Sequence, residues 1–252
     1  MTTKKSIDIN CDLGESINPQ QWEADSHLMP YISSCNIACG GHAGNPQSIK
    51  VTVANAIHNQ LKIGAHPSYP DKDNFGRVTM TVGEQELRQT LRQQIESIAE
   101  ECQRQNTDLH HIKPHGALYN DAAANKELAY IIADEVKKFD ANIKLMGLAQ
   151  SNLFTVAQEL ELDFLHEGFM DRNYHANTHL VARGHTQAMH KSLEESLSQA
   201  LSLAKGLAIS SIEGTPLTLK VDTICLHGDN PSARDIAQRL YQLLREHEIE
   251  IN

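Results

Sequence analysis

Short apolar runs alternate with longer segments of helical periodicity along almost the whole chain. Seven runs rich in β-branched or apolar residues are candidate strands, namely 6–11, 32–38, 61–65, 109–113, 143–147, 162–166 and 221–226. Most of them are separated by apolar positions that recur every three or four residues. Strands that alternate with helices in this way predict a parallel sheet covered by helices.

Helix starts are marked by four pairs of residues with N-terminal capping chemistry. Two are Asn-Pro pairs and two have capping-box spacing: Asn45-Pro46, Asn230-Pro231, Thr81 with Glu84, and Ser192 with Glu195. An apolar stripe at helical spacing follows each pair. Two further helices are predicted around residues 128–136 and 153–160.

The number of strands and the length of the chain indicate a barrel. Residues 1–252 suffice for one α/β barrel, a fold that occupies roughly 250 residues as a single domain. An open doubly wound sheet is the other possibility, but no GxGxxG motif follows the first strand. We therefore predict a single α/β domain, a distorted seven-stranded parallel (β/α) barrel of the TIM-like type.

Composition excludes several classes of partner. The net charge is −10, from 22 basic and 32 acidic side chains, so nucleic acid and anionic membrane surfaces are not expected partners. We predict neither a secretory signal nor a membrane span, because no apolar stretch is long enough. The five cysteines lack CxxC spacing, which favours buried thiols in a reducing, cytoplasmic setting.

Polar side chains with catalytic potential follow six of the seven candidate strands. The carboxyl ends of parallel strands share one face of a barrel, so residues far apart in sequence are expected to converge there. Four histidines stand beside Gly or Pro at these points, which favours function over a structural role. The candidates are Asn10, Asp12, Glu15, Asn36, His42, His66, Lys113, His115, Tyr119, Glu167, Arg172, His227 and Asp229.

Residue chemistry suggests what these groups could do. Asp8, Asn10 and Asp12 alternate along the first strand and therefore face one side, where carboxylates could act as a base or hold a cation. Lys113 follows an apolar run, and a buried ammonium must pair with a carboxylate or a ligand anion. The other histidines, including His110 and His111, are interpreted as surface or satisfied core residues.

Three loop arginines could bind anions, because guanidinium groups match carboxylate and phosphate oxygens. They are Arg77, Arg172 and Arg183. The last two lie in the stretch 168–191, which is long for a connection and typical of a lid.

Seven sequence strings, in this order, resemble the LamB/YcsF family, the proteins that form the A subunit of 5-oxoprolinase. They are DINCDLGES, NIACGGHAGNP, IGAHPSYPD, FGR, KPHGALYN, DRNY with LVAR, and CLHGDNP. The resemblance covers essentially the whole chain. It implies a barrel similar to that of the polysaccharide deacetylase superfamily. It also implies hydrolysis of 5-oxo-L-proline to L-glutamate, coupled to hydrolysis of ATP with magnesium and carried out with partner subunits B and C.

Under this resemblance each candidate receives a hypothetical role. Asp12 or Glu15, with His42 or His66, would position or deprotonate water, while Lys113 and His115 would stabilise charge on oxygen or phosphoryl groups. One or more of the three loop arginines would hold the substrate carboxylate, and Asp229 would orient His227. The sequence departs from the family pattern at Gly41, which replaces an aromatic residue, at Ser68, which replaces Gly, and at Val78, which replaces Arg.

Two other functions are open from the sequence alone. Asp12, His42 and His66 could form a metal triad, which would make the protein a metal-dependent amide or carbohydrate deacetylase without ATP. The same rim could instead be the pocket of a sugar- or lactam-binding module that catalyses nothing. The sequence contains no GxxxxGK[ST] motif, so any ATP site is not a P-loop.

Overall fold

A computed structural model describes residues 5–228 and 232–252. Its strands are β1 (Ser6–Leu13), β2 (Ser34–Ala38), β3 (Lys62–His66), β4 (His111–Ile112), β5 (Lys144–Leu148), β6 (Phe164–Phe169), β7 (Ile209–Ser210), β8 (Pro216–Leu217), β9 (Thr223–Leu226) and β10 (Glu250–Ile251). Its helices are α1 (Pro19–Leu28), α2 (Pro46–His58), α3 (Glu84–Arg104), α4 (Gly116–Ala124), α5 (Lys126–Phe139), α6 (Asn152–Glu159), α7 (Leu193–Lys205) and α8 (Ala233–Glu246).

The strands form a closed parallel barrel. The order is β1-β2-β3-β4-β5-β6-β9, and β9 pairs with β1 to close the ring, with Asp8 opposite Thr223. All seven predicted strands are therefore confirmed, and so is the seven-stranded fold class. The two-residue strands β7, β8 and β10 lie outside the ring and were not predicted, because runs so short carry no periodicity.

Helix starts agree with the sequence at two of the four predicted pairs. The Asn45 side chain accepts hydrogen bonds from the amides of Gln47 and Ser48, and Pro46 opens α2. The Ser192 side chain caps α7 by accepting from the Glu195 amide. These contacts satisfy amides that have no partner within a helix.

The prediction for Thr81 was wrong. Helix α3 begins at Glu84 with Gly83 as its N-cap, so Glu84 lies in the first turn. A carboxylate there is favoured by the helix dipole even without a capping box. Of the remaining pair, Asn230 and Pro231 lie outside the described residues, and α8 begins at Ala233. Helices α1 and α4 were not predicted.

The two faces of the barrel wall differ in chemistry. On β1, Ile7, Ile9 and Cys11 are at most 3% exposed and pack against the surrounding helices, while Asp8 and Asn10 point inward. Each such aliphatic side chain stabilises the fold by about 1.5–3 kcal/mol. Among the described residues, no helix has the length and apolarity needed to cross a membrane.

Candidate active site

The amino end of the barrel interior is closed by a self-satisfied polar cluster. Asp8 accepts hydrogen bonds from the hydroxyls of Ser33, Ser34 and Thr223, and Lys62 Nζ lies 3.4 Å from its Oδ1. Asp8 is 7% exposed and Thr223 is fully buried. Each buried carboxylate oxygen has a donor, so this layer needs no ligand.

The middle layer carries polarity towards the other end. Asn36 Nδ2 donates to Asn10 Oδ1 at 2.8 Å and to Asp12 Oδ1 at 2.7 Å. Its own Oδ1 accepts from His111 Nε2 at 2.7 Å, which fixes the proton of that buried imidazole on Nε2. Asn10 and Asn36 were predicted to bind substrate, but both are fully buried and make their contacts within the protein. The interpretation of His111 as a satisfied core residue agrees with this network.

Lys113 is the centre of the carboxyl-end layer. Its Nζ lies 2.7 Å from Glu167 Oε1 and 3.0 Å from Asp12 Oδ1, and it donates to Asn10 Oδ1 at 3.1 Å. Burial disfavours the ammonium form, yet the Asp12 carboxylate, the Cys225 thiol and the Glu167 carboxylate hold the pKa of Lys113 well above its usual value. Lys113 is therefore a fixed cation, paired with carboxylates as predicted, and not a side chain that extends to solvent.

Three histidines stack beside this lysine. His66 Nε2 lies 3.3 Å from Asp12 Oδ2 and 2.9 Å from His115 Nδ1. The His42 and His115 rings are parallel, with centroids 3.6 Å apart. Burial and the neighbouring His66 and His42 lower the pKa of His115 to about 2.

Glu15 completes the cluster from the loop after β1. Its Oε1 accepts from His42 Nε2 at 3.1 Å and lies 3.6 Å from His115 Nδ1. The donor atoms of Asp12, Glu15, His66 and His115 all lie within 4.8 Å of one another, which is a separation that one metal ion could bridge. His42, a member of the predicted metal triad, is not in this group, because it stacks on His115 and contacts only Glu15.

The FGR loop fixes the histidines from the side. His115 Nε2 donates to the Phe75 carbonyl at 3.0 Å, and the Phe75 ring meets the edges of His42 and His115. The Ala117 amide donates to the Gly76 carbonyl, which holds this loop against the start of α4. Gly116 has φ +57°, and a Cβ there would lie 2.4 Å from the Gly76 oxygen, so the PHG motif needs glycine.

Two adjoining cavities open beside the cluster. The smaller is lined by Asp12, His66, Lys113 and His115, and the larger, of about 330 Å³, lies outside it. Arg77, Arg172 and Arg183 line both cavities. The cationic side chains are thus arranged from Lys113 outward, a field that attracts anions.

The arginines are held by the loop after β6. Arg172 is 3% exposed and its guanidinium donates to the Val181 carbonyl at 2.6 Å, whereas Arg77 and Arg183 are exposed. Burial lowers the pKa of Arg172 to about 10. The predicted lid stretch is folded back on itself by bridges between Arg172 and Met189 and between Tyr174 and Leu180. It forms an ordered wall of the larger cavity.

His227 has a different orienting partner from the one predicted. Its Nδ1 donates to Asp171 Oδ2 at 2.7 Å, and its Nε2 accepts from Arg183 at 2.9 Å. Asp229, which was expected to orient it, lies outside the described residues. Asp171 stands in the DRNY string, so that string held the signal for this contact.

Two groups at the cavity wall lack partners. The Tyr119 hydroxyl, beside Glu167, and Arg172 Nε are buried and make no hydrogen bond within residues 5–228 and 232–252. Burial raises the pKa of Tyr119 well above its usual value, so it carries its proton. Unsatisfied buried donors are costly, and a bound ligand is a common way to satisfy them.

Comparison with known proteins decides the family. The LamB/YcsF family model matches residues 7–252. This chain belongs to the LamB/YcsF family. A relative from Haemophilus influenzae (strain PittEE), named as the A subunit of 5-oxoprolinase, is 39% identical over 247 residues, which are 98% of this chain and 99% of the relative. One with the same name from Pyrococcus abyssi (strain GE5 / Orsay) is 38% identical and covers 97% and 96%.

A solved LamB/YcsF-like structure has the same fold. The lactam utilization protein from Thermus thermophilus superposes with a TM-score of 0.91 at 31% identity, over 98% of this chain and 99% of that one. A protein from Agrobacterium tumefaciens C58, described as uncharacterized, shares the fold with a TM-score of 0.61 at 11% identity. The resemblance seen in the sequence strings is thereby confirmed.

The convergence expected of a LamB/YcsF site is largely present in this chain. Asp12, Glu15, His42, His66, Lys113 and His115 form one contact network, as predicted. Sequence reasoning missed Phe75 and Phe169, whose rings border His115 and Lys113. It also missed the Cys225 thiol, 3.3 Å from Lys113 Nζ.

The small residue at position 41 does not enlarge the site. Gln94 from α3 bonds to both backbone groups of Ser68, and a Cβ on Gly41 would lie 2.3 Å from Gln94 Oε1. The space beside Gly41 is thus filled by this glutamine. Val78 is half exposed next to Arg77, so the cavity has one guanidinium at this point and not two.

Proposed function

We propose that this protein is the A subunit of an ATP-dependent 5-oxoprolinase, acting with subunits B and C. The reaction would convert 5-oxo-L-proline, water and ATP into L-glutamate, ADP and phosphate. One observation carries the proposal: a buried, permanently charged lysine stands between carboxylates at the base of an arginine-lined cavity. Its support from outside the chain is the printed name of the relatives at 38–39% identity.

The arrangement of charge suits a small anionic lactam. Three guanidinium groups at the cavity mouth, those of Arg77, Arg172 and Arg183, can hold the carboxylate of 5-oxoproline. The lactam oxygen would then face Lys113, whose ammonium is fixed by Asp12 and Glu167. The Tyr119 hydroxyl and Arg172 Nε supply the donors that the protein leaves unpaired.

Coupling to ATP answers the chemical difficulty of the substrate. A five-membered lactam is a stable amide with a poor nitrogen leaving group, and phosphorylation of the amide oxygen activates its carbon. Lys113 and the three arginines would stabilise the negative charge of the oxygen and of the transferring phosphoryl group. A carboxylate of Asp12 or Glu15, with His66, would then accept a proton from the attacking water.

The remaining parts of the proposal concern setting and partners. ATP would enter with magnesium, and the enzyme would work in the cytoplasm, in keeping with five buried free thiols. Subunits B and C would complete the activity, because the relatives are named for one lettered subunit of a larger enzyme. The pocket for adenine is not assigned to any residue of this chain.

Reconstitution with partner subunits tests the proposal. The complex should release phosphate and glutamate together, only when both 5-oxoproline and ATP are present. Lys113→Ala should lower this turnover at least about 1,000-fold, because it removes the central cation. Lys138→Ala, on the exposed face of α5, is the matched control and should retain turnover. Full activity of Lys113→Ala would remove the lysine from the mechanism.

The metal-dependent alternative is supported by the donor set of Asp12, Glu15, His66 and His115. Such a hydrolase would open the lactam, or deacetylate another substrate, without ATP. Turnover in the absence of nucleotide would favour it. Binding of 5-oxoproline without any turnover by the complete complex would favour the binding module instead.

A further inference from the structure

Two imidazole nitrogens face one another across a gap that needs a positive occupant. His66 Nδ1 lies 2.8 Å from the Lys113 carbonyl and His115 Nε2 lies 3.0 Å from the Phe75 carbonyl. A carbonyl only accepts, so each of these ring nitrogens carries the hydrogen. In the neutral rings the other two nitrogens, His66 Nε2 and His115 Nδ1, are bare lone pairs, and they lie 2.9 Å apart. Two lone pairs at that distance repel unless a cation lies between them.

Two carboxylates converge on the same gap. Asp12 Oδ2 lies 3.3 Å from His66 Nε2, and Glu15 Oε1 lies 3.6 Å from His115 Nδ1. Nitrogen and oxygen ligands about 2.0–2.2 Å from one metal ion are separated by about 3.0–3.5 Å when they occupy neighbouring positions. The three measured separations of 2.9, 3.3 and 3.6 Å lie close to that range.

The surroundings of the four side chains are those of a metal site. Metal-ligating histidines donate their second ring N–H to a carbonyl or carboxylate, which fixes the tautomer, and both histidines here do so. His42 Nε2 holds Glu15 Oε1 at 3.1 Å while its ring stacks on His115. The carboxylates of Asp12, Glu15 and Glu167 have Lys113 as their buried cation, so a divalent ion would balance the interior charge.

We propose that Asp12, Glu15, His66 and His115 form a binding site for one divalent transition-metal ion of the Zn²⁺ class. Mixed imidazole and carboxylate ligands suit zinc and its neighbours better than they suit calcium or magnesium. Asp12, His66 and His115 also line the smaller cavity, so the ion would have a coordination position facing the substrate space. The site differs from the triad of Asp12, His42 and His66 in its third and fourth ligands.

Ion binding to the unmodified chain is the first test. The full-length protein is stripped with a chelator and titrated with ZnCl₂ in a calorimeter, and with Co²⁺ while its visible absorption is followed. We expect one ion per chain with a Kd below about 1 µM, and a Co²⁺ spectrum typical of nitrogen and oxygen ligands. Absence of stoichiometric binding would mean that a proton fills the gap, and would overturn the proposal.

Crystals soaked in zinc locate the ion without any substitution. The anomalous difference peak should lie about 2.0–2.2 Å from all four ligand atoms. A peak elsewhere, with none in the cluster, would contradict the assignment. Because this readout requires no folding variant, it decides the question even if substitutions in the cluster damage the protein.

Three variants identify the ligands. His115→Ala should weaken zinc binding by more than about 100-fold, since loss of an outer partner alone costs about 10–100-fold. His42→Phe keeps the ring stack but loses the contact with Glu15, so it should still bind one ion, with about 10-fold lower affinity. His58→Ala, on the exposed face of α2, should bind as the wild type does.

The variants also separate the two possible ligand sets. Loss of the ion from His42→Phe, with retention by His115→Ala, would assign the metal to the triad with His42 and overturn the present set. All these readouts measure ion binding and not turnover. Failure of the proposed 5-oxoprolinase activity would therefore leave the metal assignment untouched, and the reverse also holds.

Discussion

Asp8 and Asp12 stand on the same strand and face the same barrel interior, yet their surroundings differ in kind. Asp8 is enclosed by three hydroxyl donors and the Lys62 ammonium. Asp12 is surrounded by groups that ionise or bind metals, namely Lys113 and His66. The first carboxylate borders no cavity among those found in the described residues, whereas the second lines a cavity.

The contrast teaches how to separate structure from function in a polar barrel interior. Hydroxyl donors satisfy a carboxylate without changing their own charge, so the Asp8 layer can only support the fold. The Asp12 layer leaves Tyr119 and Arg172 with unpaired buried donors and places two imidazole lone pairs face to face. Unsatisfied groups mark the end of the barrel that is built to receive something else.

Removing the Lys113 ammonium should give the largest effect at the carboxyl end. Lys113→Met leaves Asp12 and Glu167 as uncompensated buried charges, which should lower the free energy of unfolding by about 3–5 kcal/mol. Urea unfolding followed by circular dichroism measures this. Adding Glu167→Gln in the same chain removes one of the two charges and should restore at least about 1 kcal/mol.

A control and a contrary result define this prediction. Lys138→Met removes an exposed ammonium from α5 and should change the free energy of unfolding by less than about 0.5 kcal/mol. If Lys113→Met is as stable as the wild type, the two carboxylates must be protonated or hydrated in the folded protein. The description of Lys113 as their fixed counter-ion would then be wrong.

Replacing each aspartate by asparagine tests the comparison directly. Asp8→Asn loses acceptors for three buried hydroxyls and should cost about 1–3 kcal/mol of stability, with kcat of the reconstituted complex within about 3-fold of wild type. Asp12→Asn should lower kcat at least about 100-fold, because it removes a carboxylate next to the reacting groups. Equal effects of the two substitutions on turnover would abolish the distinction between the two ends.

Much of this division was visible in the sequence. Polar residues with a period of two on β1 predicted an inward row, and the strand ends predicted convergence at one rim. Those inferences needed only local pattern and a parallel sheet. The capping of α3 was not predicted, because Thr81 and Gly83 are both acceptable N-caps and the backbone chooses between them.

Contacts between distant segments were beyond the sequence. The exchange of Asp229 for Asp171 as the partner of His227 depends on how the loop after β6 folds back. The exchange of His42 for His115 in the four-ligand group depends on ring stacking and on the Phe75 carbonyl. Side-chain direction at a rim is decided by such contacts, and periodicity carries no information about them.

At the cavity mouth the effect should be smaller and should fall on binding. Arg183→Ala removes an exposed guanidinium that lines both cavities. We expect the KM for 5-oxoproline to rise about 10-fold with kcat nearly unchanged, because the arginine holds the carboxylate equally in ground and transition states. Steady-state kinetics of the complex measure both constants. Arg239→Ala on α8 is the exposed control, and a fall in kcat alone would place Arg183 in the chemistry instead.

The smallest expected effect concerns a histidine near the amino end. Burial, followed by the nearby ammonium groups of Lys144 and Lys62, lowers the pKa of His110 to about 4, while Asp8 opposes the shift. Between pH values of about 4 and 6.5 the folded protein therefore binds fewer protons than the unfolded chain. The free energy of unfolding must fall as the pH decreases through this window.

The contribution of His110 can be isolated by substitution. Because the side chain is partly exposed, the loss between pH 7 and the lower end of this window should be smaller in His110→Gln than in the wild type by only about 1 kcal/mol or less. Urea unfolding at several pH values measures it, with His58→Gln as the exposed control. Since the amino end supports only the fold, kcat at pH 7 should not change. Parallel stability curves for wild type and His110→Gln would show that His110 titrates alike in both states.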